Sequence, residues 1–429
     1  MQSKTVSARP ALRGEITVPG DKSISHRSIM FGSLAKGVTR VSGFLEGEDN
    51  LSTLNAFRAM GVTIEQHGDG ELIIHGQGVH GLKEPEDVLD CGNSGTTIRL
   101  MSGLLAGQNF FSVLTGDQYL RKRPMGRVVN PLAEMGAKIT GRQQGQCAPL
   151  AIQGCPLQPL TYHSPVASAQ VKSAILLAGL YAQGMTTVYE PHLSRDHSER
   201  MLRHFGVNVE SFDGGVSLAG GQELIASDLL VPGDISSAAF FIVAALIVPG
   251  SQLLIRNVGI NPTRSGVIDI LKKMNGSIEL VDQREMAGEP VADLLVTSSQ
   301  LKGIEIGGED VPRAIDEFPV ISIAAACAEG TTIIRDAKEL RVKETDRIAA
   351  MADVLTTFGV SVETAEDGMT VHGCETLRGG RVNSCGDHRI AMSSAIAALC
   401  ADQDVTIDDT QCTATSFPNF WQLLERISS

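Results

Sequence analysis

The stretch Val18-Pro19-Gly20-Asp21-Lys22-Ser23-Ile24-Ser25-His26-Arg27 decides how this chain is organised. It turns sharply at Pro-Gly and then places two basic side chains and two hydroxyls where a helix is predicted to begin. The start of a helix has free backbone N–H groups and the positive end of the helix dipole. The stretch therefore predicts an anion-binding site at a helix N-terminus.

The first four residues of this stretch, Val-Pro-Gly-Asp, return at positions 231–234. We interpret the two copies as the points where the chain crosses between two lobes. Lobe I is predicted to contain residues 1–19 and 234–429, and lobe II residues 20–233, with a hinge near Gly20 and Gly233. A ligand held between two such lobes would close them.

A unit of about seventy residues recurs six times, three times on each side of the second Val-Pro-Gly-Asp. Each unit has a nearly apolar helix, a β-branched strand, a charged second helix and a strand-rich tail. The apolar helices are predicted at Ser25–Lys36, Gly95–Ala106, Ser168–Ala182, Ser236–Val248, Phe318–Ala328 and His388–Cys400. Helices that are apolar all round are buried. The pattern predicts an α/β (α+β) fold of two lobes, each with three buried helices enclosed by helices and short sheets.

Composition narrows the function classes. The formal net charge of −13 and the aromatic content of 4% argue against a nucleic-acid or anionic membrane surface. The longest apolar runs are too short to span a bilayer. The eight cysteines lack zinc-type spacing, and we interpret them as reduced thiols of a cytosolic protein. His197 and His204 lack a third ligand, so we predict surface positions and no metal site.

Basic residues cluster at the predicted ends of helices and strands, against this acidic background. The clusters are Lys22 with Arg27, Arg121-Lys122-Arg123, Arg195, Arg341 with Lys343 and Arg347, and Arg389. Lys343 and Arg347 lie four apart in a predicted helix 343–358, where like charges repel each other. An anion between them would relieve that repulsion, so the clusters predict a polyanionic ligand rather than scattered surface charge.

Two polar turns and two acids complete the candidate site. Gly95 opens a buried helix, and its missing Cβ allows a ligand close to the backbone; a purely structural turn is the alternative. Ser168 and Gln170 open the third buried helix in the same way. Asp316 lies beside the basic clusters as a candidate general base, and helix capping is its alternative role. Glu344 is a second acid–base candidate, with an ordinary surface glutamate as the alternative.

Together these motifs resemble those of the 5-enolpyruvylshikimate-3-phosphate synthase family over nearly the full chain. The matching segments are Pro19–Arg27, Gly92–Arg99, Arg123-Pro124-Met125, Ser168-Ala169-Gln170, Ile315-Asp316, Arg341–Arg347, Gly386–Arg389 and Ser416-Phe417-Pro418. The resemblance implies an inside-out α/β barrel and transfer of the enolpyruvyl group of phosphoenolpyruvate to the 5-hydroxyl of shikimate 3-phosphate. It implies addition and elimination through a tetrahedral intermediate, without metal or organic cofactor.

The resemblance also assigns residues to the two anionic substrates. For shikimate 3-phosphate it implies Lys22, Ser23, Arg27, Ser168, Ala169, Gln170, Asp316 and Lys343. For phosphoenolpyruvate it implies Lys22, Gly95, Arg123, Gln170, Arg347 and Arg389. Asp316 is implied as the base at the 5-hydroxyl, and Glu344 with Lys22 as the groups that move protons at the enol carbon. A monomer, and the inhibitor glyphosate competing with phosphoenolpyruvate, are further expectations.

Three positions depart from the best-known pattern of that family. Thr415 stands where a lysine is frequent, so phosphoenolpyruvate loses one cation. Glu339 stands where an asparagine is frequent, which puts that substrate contact in doubt. The segment Ser194-Arg195-Asp196-His197 replaces a tyrosine region, and Arg195 there is a candidate contact to the 3-phosphate.

Two alternatives remain at this point. UDP-N-acetylglucosamine enolpyruvyl transferase has the same architecture, but it usually carries a cysteine in the loop that here is Thr115–Tyr119, which has none. A non-catalytic repeat scaffold would bind a protein partner through the same fold. It would not explain why Asp316 and Glu344 lie among cationic helix ends.

Overall fold

The computed structural model describes residues 2–427 and divides them into two compact units. The N unit contains residues 20–231 together with 286–289. The C unit contains residues 2–19, 232–285 and 290–427. The short segment 286–289 is the tip of a hairpin whose two strands belong to the C unit. The predicted lobes did not include this exchange, and the predicted hinge near Gly20 and Gly233 stays a prediction.

Three apolar helices form the centre of each unit, as the sequence pattern predicted. In the N unit they are Lys22–Leu34, Gly95–Ala106 and Ala169–Gly179, and in the C unit Ile235–Ile247, Phe318–Ala326 and His388–Ala398. Every residue of Phe318–Ala326 and of His388–Ala398 is buried. Because their apolar side chains point in all directions, these helices are stable only when protein surrounds them.

A small mixed sheet accompanies each central helix. One example has the order Thr161–His163, Met185–Tyr189, Gly215–Ala219, Val209–Phe212, with the first pair parallel and the others antiparallel. The N unit has two other sheets, with the strand orders Leu89–Asp90, Phe111–Thr115, Cys147–Gln153, Lys138–Gly141, and Leu224–Ile225 with Leu229–Leu230, Ala35–Ser42, Leu72–Gln77, Thr63–Gln66. Two sheets of the C unit have the strand orders Glu305–Ile306, Thr331–Ile334, Gly368–His372, Ser361–Ala365, and Arg13–Thr17, Gln252–Gly259, Glu289–Thr297, Ser277–Met286. A further sheet of the C unit has the order Gly380–Asn383, Val405–Asp408, Lys4–Val6.

The parallel strand of each sheet comes from the tail of another repeat, which ties each unit into a ring. In the N unit the third tail returns to the first sheet, where Leu224–Ile225 pairs with Ala35–Ser42. In the C unit the N-terminal segment provides this closure, because Arg13–Thr17 pairs in parallel with Gln252–Gly259. Each unit therefore needs all three of its repeats.

The charged second helices are Glu48–Ala59, Gly126–Glu134, His197–His204, Gly266–Lys273, Arg347–Thr357 and Phe420–Ile427. Shorter helical segments are Leu120–Lys122, Arg142–Gly145, Asp310–Ala314, Lys338–Val342 and Thr410–Thr415. Glycine after the second helix was expected to adopt the left-handed conformation. After Gly266–Lys273 this expectation is wrong, since Asn275 takes the positive φ of 71° in place of Gly276.

Two predicted helix starts are also wrong. The helix expected from Lys343 begins at Arg347, because Asp346 caps it by accepting from the backbone N–H groups of Ile348 and Ala349 at 3.1 Å. Lys343 and Arg347 therefore do not share a helical face. Similarly, Pro124 suits the first position of a helix, but the helix begins two residues later, at Gly126. Across residues 2–427, no helix has the length and apolarity to cross a membrane.

Candidate active site

The first helix of the N unit begins at Lys22, three residues before the predicted start at Ser25. Asp21 caps helix Lys22–Leu34, and its Oδ1 accepts a hydrogen bond from the backbone N–H of Ile24 at 2.8 Å. Lys22 Nζ lies 2.6 Å from Asp49 Oδ2, on the helix Glu48–Ala59. The ammonium group of Lys22 is therefore held at the N-terminal end of a buried helix.

Arg27 is buried at the next turn, with 3% of its surface exposed. Its Nε donates to Ser198 Oγ at 2.7 Å, its Nη2 to Ser173 Oγ at 2.9 Å, and its Nη1 to the carbonyl oxygen of Ser23 at 3.0 Å. These three partners are neutral. Burial lowers the pKa of Arg27 to about 10, which leaves the side chain protonated at neutral pH.

A second group of N-unit residues forms around Gly95. The Oγ of Ser94 caps helix Gly95–Ala106 by accepting from Thr97 N. A Cβ added at Gly95 would lie 3.0 Å from Arg123 Nη1, so the guanidinium packs against the bare backbone of the glycine. Arg123 Nη2 also donates to Asn93 Oδ1 at 3.0 Å. The missing Cβ allows Arg123 to approach here, and the approach of a ligand to Gly95 stays a prediction.

Gln170 connects this group to the third buried helix. Its Oε1 accepts from Arg99 Nη1 at 2.5 Å and its Nε2 donates to Thr96 Oγ1 at 3.0 Å. Ser168 caps that helix, and Ala169 is its first residue. Sequence reasoning missed Arg99 as a member of the site, although the motif that ends in Arg99 was recognised.

The C unit contains the two candidate acids. Asp316 Oδ1 lies 3.1 Å from Lys343 Nζ and 3.3 Å from Arg347 Nη1. The anion that was expected between the two cations is, in this structure, the carboxylate of Asp316. A carboxylate fixed in this way has a defined direction toward any ligand in the site.

Arg347 is the centre of the C-unit group. Besides Asp316 it contacts Glu344 Oε2 at 2.7 Å and Asp387 Oδ2 at 2.8 Å. Burial by itself lowers the pKa of Arg347, but the carboxylates of Asp387, Glu344 and Asp316 raise it above its ordinary value. Asp387 also accepts from the backbone N–H of Arg389 at 2.8 Å, and so caps helix His388–Ala398.

Arg389 leads to a second layer of residues that sequence reasoning missed. Its Nη1 lies 3.8 Å from Glu317 Oε1, and Arg264 Nη1 lies 2.9 Å from the same oxygen. Ser236 Oγ donates to Glu317 as well. Glu317 was visible beside Asp316 in the sequence, but nothing local marked Arg264 or Ser236.

Other sequence predictions are not supported. Arg341 Nη1 bonds to Asp346 at 2.7 Å and its Nε to the carbonyl of Glu366, so it stabilises a turn outside the Asp316 group. His197 is buried, 2.8 Å from Glu289 Oε1, so its predicted surface position is wrong.

Among residues 2–427, no group of histidine, cysteine and acidic side chains has a metal-binding arrangement.

The sequence model that describes EPSP synthase (3-phosphoshikimate 1-carboxyvinyltransferase) matches residues 6–424. The chain belongs to the EPSP synthase family. It is 66% identical to the 3-phosphoshikimate 1-carboxyvinyltransferase of Geobacter metallireducens across the whole of both chains. The corresponding protein of Geotalea uraniireducens is 67% identical, over all of this chain and 99% of that one.

Solved structures agree with this family assignment. A structure of EPSP synthase from Acinetobacter baumannii superimposes with a TM-score of 0.90 at 50% identity, covering 99% of this chain and 98% of that one. The enolpyruvyl transferase NikO from Streptomyces tendae shares the fold, with a TM-score of 0.81 at 17% identity over 99% and 96%. The resemblance predicted from motifs is confirmed, the chain is a transferase of this family, and the scaffold alternative is set aside.

Proposed function

We propose that this chain transfers the enolpyruvyl group of phosphoenolpyruvate to the 5-hydroxyl of shikimate 3-phosphate and releases phosphate. The observation that carries the proposal is the contact of Arg347 with both candidate acids, Asp316 and Glu344. One buried guanidinium sets the spacing of two carboxylates, and addition–elimination needs two proton-transfer groups at fixed positions.

Shikimate 3-phosphate is a polyanion with a phosphate monoester and a carboxylate. We assign its contacts to Lys22, Ser23, Arg27, Ser168, Ala169, Gln170, Arg195, Asp316 and Lys343. Arg27 suits a phosphate because its own partners are the neutral groups of Ser198, Ser173 and Ser23. A charge-assisted hydrogen bond to a phosphate is about twice as strong as a neutral one.

Phosphoenolpyruvate is smaller and carries its charges close together. We assign its contacts to Lys22, Gly95, Arg123, Gln170, Arg347 and Arg389. Arg123 lies against the bare backbone of Gly95, and Gln170 is oriented by Arg99 and Thr96. Thr415 is the last residue of the short helix Thr410–Thr415 and adds no cation, so these arginines carry the binding.

In the mechanism that we propose, Asp316 accepts the proton of the 5-hydroxyl as that oxygen attacks the enol carbon. Glu344 and Lys22 deliver a proton to the methylene carbon, which becomes a methyl group, and one methyl proton returns to them when phosphate leaves the tetrahedral intermediate. Lys343 and Arg347 keep Asp316 directed at the hydroxyl. Preorganised charges of this kind stabilise the intermediate because they need no reorientation during the reaction.

The test is phosphate release from phosphoenolpyruvate in the presence of shikimate 3-phosphate, with UDP-N-acetylglucosamine as the parallel acceptor. Release only with shikimate 3-phosphate supports the proposal. Asp316→Asn and Glu344→Gln should then each lower kcat by about 10²- to 10⁴-fold while both substrates still bind. Release only with the sugar nucleotide would assign the chain to the sister activity.

We also propose that glyphosate competes with phosphoenolpyruvate beside Gly95. Gly95→Ala would bring a methyl group to about the 3.0 Å contact with Arg123. The guanidinium must then move, so the variant should bind glyphosate less tightly and raise the KM for phosphoenolpyruvate. An inhibition curve of the unchanged protein that stays flat to millimolar glyphosate would contradict the proposal.

We further propose a monomer in the cytoplasm. All eight cysteines are free thiols, as expected in a reducing compartment. Sedimentation analysis at micromolar concentration tests the monomer, and a stable dimer would contradict it.

A further inference from the structure

A buried ion cluster in the N unit lies outside the residues assigned above. Lys172 is on helix Ala169–Gly179, and only 1% of its side chain is exposed. Its Nζ lies 2.8 Å from Glu190 Oε2 and 2.8 Å from Glu199 Oε1, and it donates to the carbonyl oxygen of Ser194 at 3.2 Å. An ammonium group has three N–H donors, and this arrangement gives each of them a partner.

This cluster is adjacent in sequence to both hydroxyl partners of Arg27. Ser173 directly follows Lys172, and Ser198 directly precedes Glu199. The two hydroxyls also bond to each other at 2.7 Å. The turns that hold the ion cluster together therefore also set the positions of the groups that orient Arg27.

The charges of the cluster provide a second link between the cluster and Arg27. Glu190 and Glu199 are two buried carboxylates beside one lysine, so the cluster has a formal surplus of one negative charge. Arg27 is a nearby buried cation, and Glu199 stabilises its protonated form. Buried charges of opposite sign are mutually stabilising, so Arg27 is held by charge as well as by hydrogen bonds.

The same cluster fixes the backbone next to Arg195. The carbonyl of Ser194 accepts from Lys172, and its hydroxyl donates to Glu190 Oε1 at 2.5 Å. Ser194 is thus held at both of its polar groups, immediately before Arg195. The positive charge of Arg195 is close enough to Arg27 to disfavour its protonated form.

We infer that Lys172, Glu190 and Glu199 are positioning residues that hold Arg27, and the backbone next to Arg195, for the acceptor substrate. This inference rests on the proposed function and deepens it. None of the three residues needs to touch a substrate. Their effect should be selective, because they act on residues assigned to shikimate 3-phosphate.

The experiment compares Ser194→Ala and Lys172→Met with the unchanged protein. Ser194→Ala removes the hydroxyl link to Glu190 without leaving a buried charge alone. Titration calorimetry with shikimate 3-phosphate, without phosphoenolpyruvate, should show Kd raised about tenfold for Ser194→Ala and more for Lys172→Met, because a small misplacement of a binding group has a large cost. The KM for phosphoenolpyruvate at saturating acceptor should stay unchanged.

Lys36→Met is the matched control, since it makes the same substitution in an exposed pair with Glu223. It should bind shikimate 3-phosphate like the unchanged protein. If Lys172→Met does not fold, Glu190→Gln keeps the shape of the cluster with one charge fewer and should also raise Kd.

Two outcomes of the binding comparison decide against the inference. An unchanged Kd in Ser194→Ala and Glu190→Gln overturns it, and so does an equal rise in both the Kd for the acceptor and the KM for phosphoenolpyruvate. If the unchanged protein binds shikimate 3-phosphate but releases no phosphate, the proposed function fails while the binding comparison still tests the inference. If it does not bind the acceptor, both fail.

Discussion

Two buried arginines, Arg27 in the N unit and Arg347 in the C unit, have opposite surroundings. Arg27 is bonded by two serine hydroxyls and one carbonyl oxygen. Arg347 contacts three carboxylates, those of Asp316, Glu344 and Asp387. Their exposed fractions are similar, 3% and 1%, so burial does not explain the difference between them.

The difference shows two uses of one side chain. Burial lowers the pKa of Arg27, and a dianionic ligand would restore the balance of charge. Three carboxylates more than offset the burial of Arg347 and raise its pKa. We therefore interpret Arg27 as a residue available to a ligand, and Arg347 as one that also holds the candidate acids Asp316 and Glu344 in place.

The largest effect is expected on stability, from removing Arg347. Arg347→Met leaves three carboxylates without their shared cation, and one of them, Asp387, is fully buried. Loss of one partner from a buried ion pair costs about 3–5 kcal/mol. Arg27→Met should cost less, about 1–3 kcal/mol, because its hydrogen-bond partners are neutral and the hydroxyls of Ser198 and Ser173 remain bonded to each other. Urea unfolding of both variants measures the difference.

Arg335→Met serves as the control for that experiment, because Arg335 is exposed and lies 3.9 Å from Glu305. It should leave the unfolding midpoint unchanged. Equal losses of stability in the Arg27 and Arg347 variants would contradict the interpretation that the two arginines have different roles.

The second effect concerns the affinity for shikimate 3-phosphate, which should depend on Arg27 more than on Arg347. Arg27→Met should raise the Kd for shikimate 3-phosphate about a hundredfold, since hydrogen bonds between charged groups are worth about 1.5–3 kcal/mol each. The KM for phosphoenolpyruvate should change little. Binding titrations of folded Arg27→Met protein check this, and an unchanged Kd would show that Arg27 has only a structural role.

The smallest effect is a pH dependence of the unfolding free energy, and it arises from His197 in the surroundings of Arg27. Burial by itself lowers the pKa of His197, but the buried carboxylate of Glu289 more than offsets this, with a further contribution from Asp21 against one from Arg27. The folded-state pKa is therefore above the ordinary value of 6.5. The protonated pair stabilises the fold fully below pH 6.5, and this stability is lost as pH rises through the raised pKa.

A tenfold change in the protonation equilibrium corresponds to about 1.4 kcal/mol of unfolding free energy. His197→Gln should abolish the decline above pH 6.5, as measured by urea unfolding between pH 6 and 9. Arg347 provides no such dependence, because its pKa is raised from an already high value. If the stability of His197→Gln declines by the same amount above pH 6.5, another titratable group causes the decline.

Much of the architecture was predictable because its causes are local. The helix Gly95–Ala106 has the predicted bounds. Apolar residues on every side of a helix require burial wherever the helix lies. Asp387 and Ser94 act as caps within three residues of the groups they bond.

Helix boundaries were less predictable where a cap competes with helix propensity. The composition of Lys343–Asp346 predicts a helix. However, Asp346 accepts from the first N–H groups of the helix, which therefore begins at Arg347 and does not include Lys343. His197 lacked an obvious partner nearby in the sequence, and its partner Glu289 follows 92 residues later.

By itself, the sequence determined the six repeats, the buried helices, the family and most of the basic residues of the site. Those properties depend on composition and spacing over a few turns. Only the tertiary structure decided the partners of those charges: Arg27 bonds to Ser198, 171 residues away, and Arg347 bonds to Asp387, 40 residues away. Ion pairing depends on distance in space and on burial, and neither is set by distance along the chain.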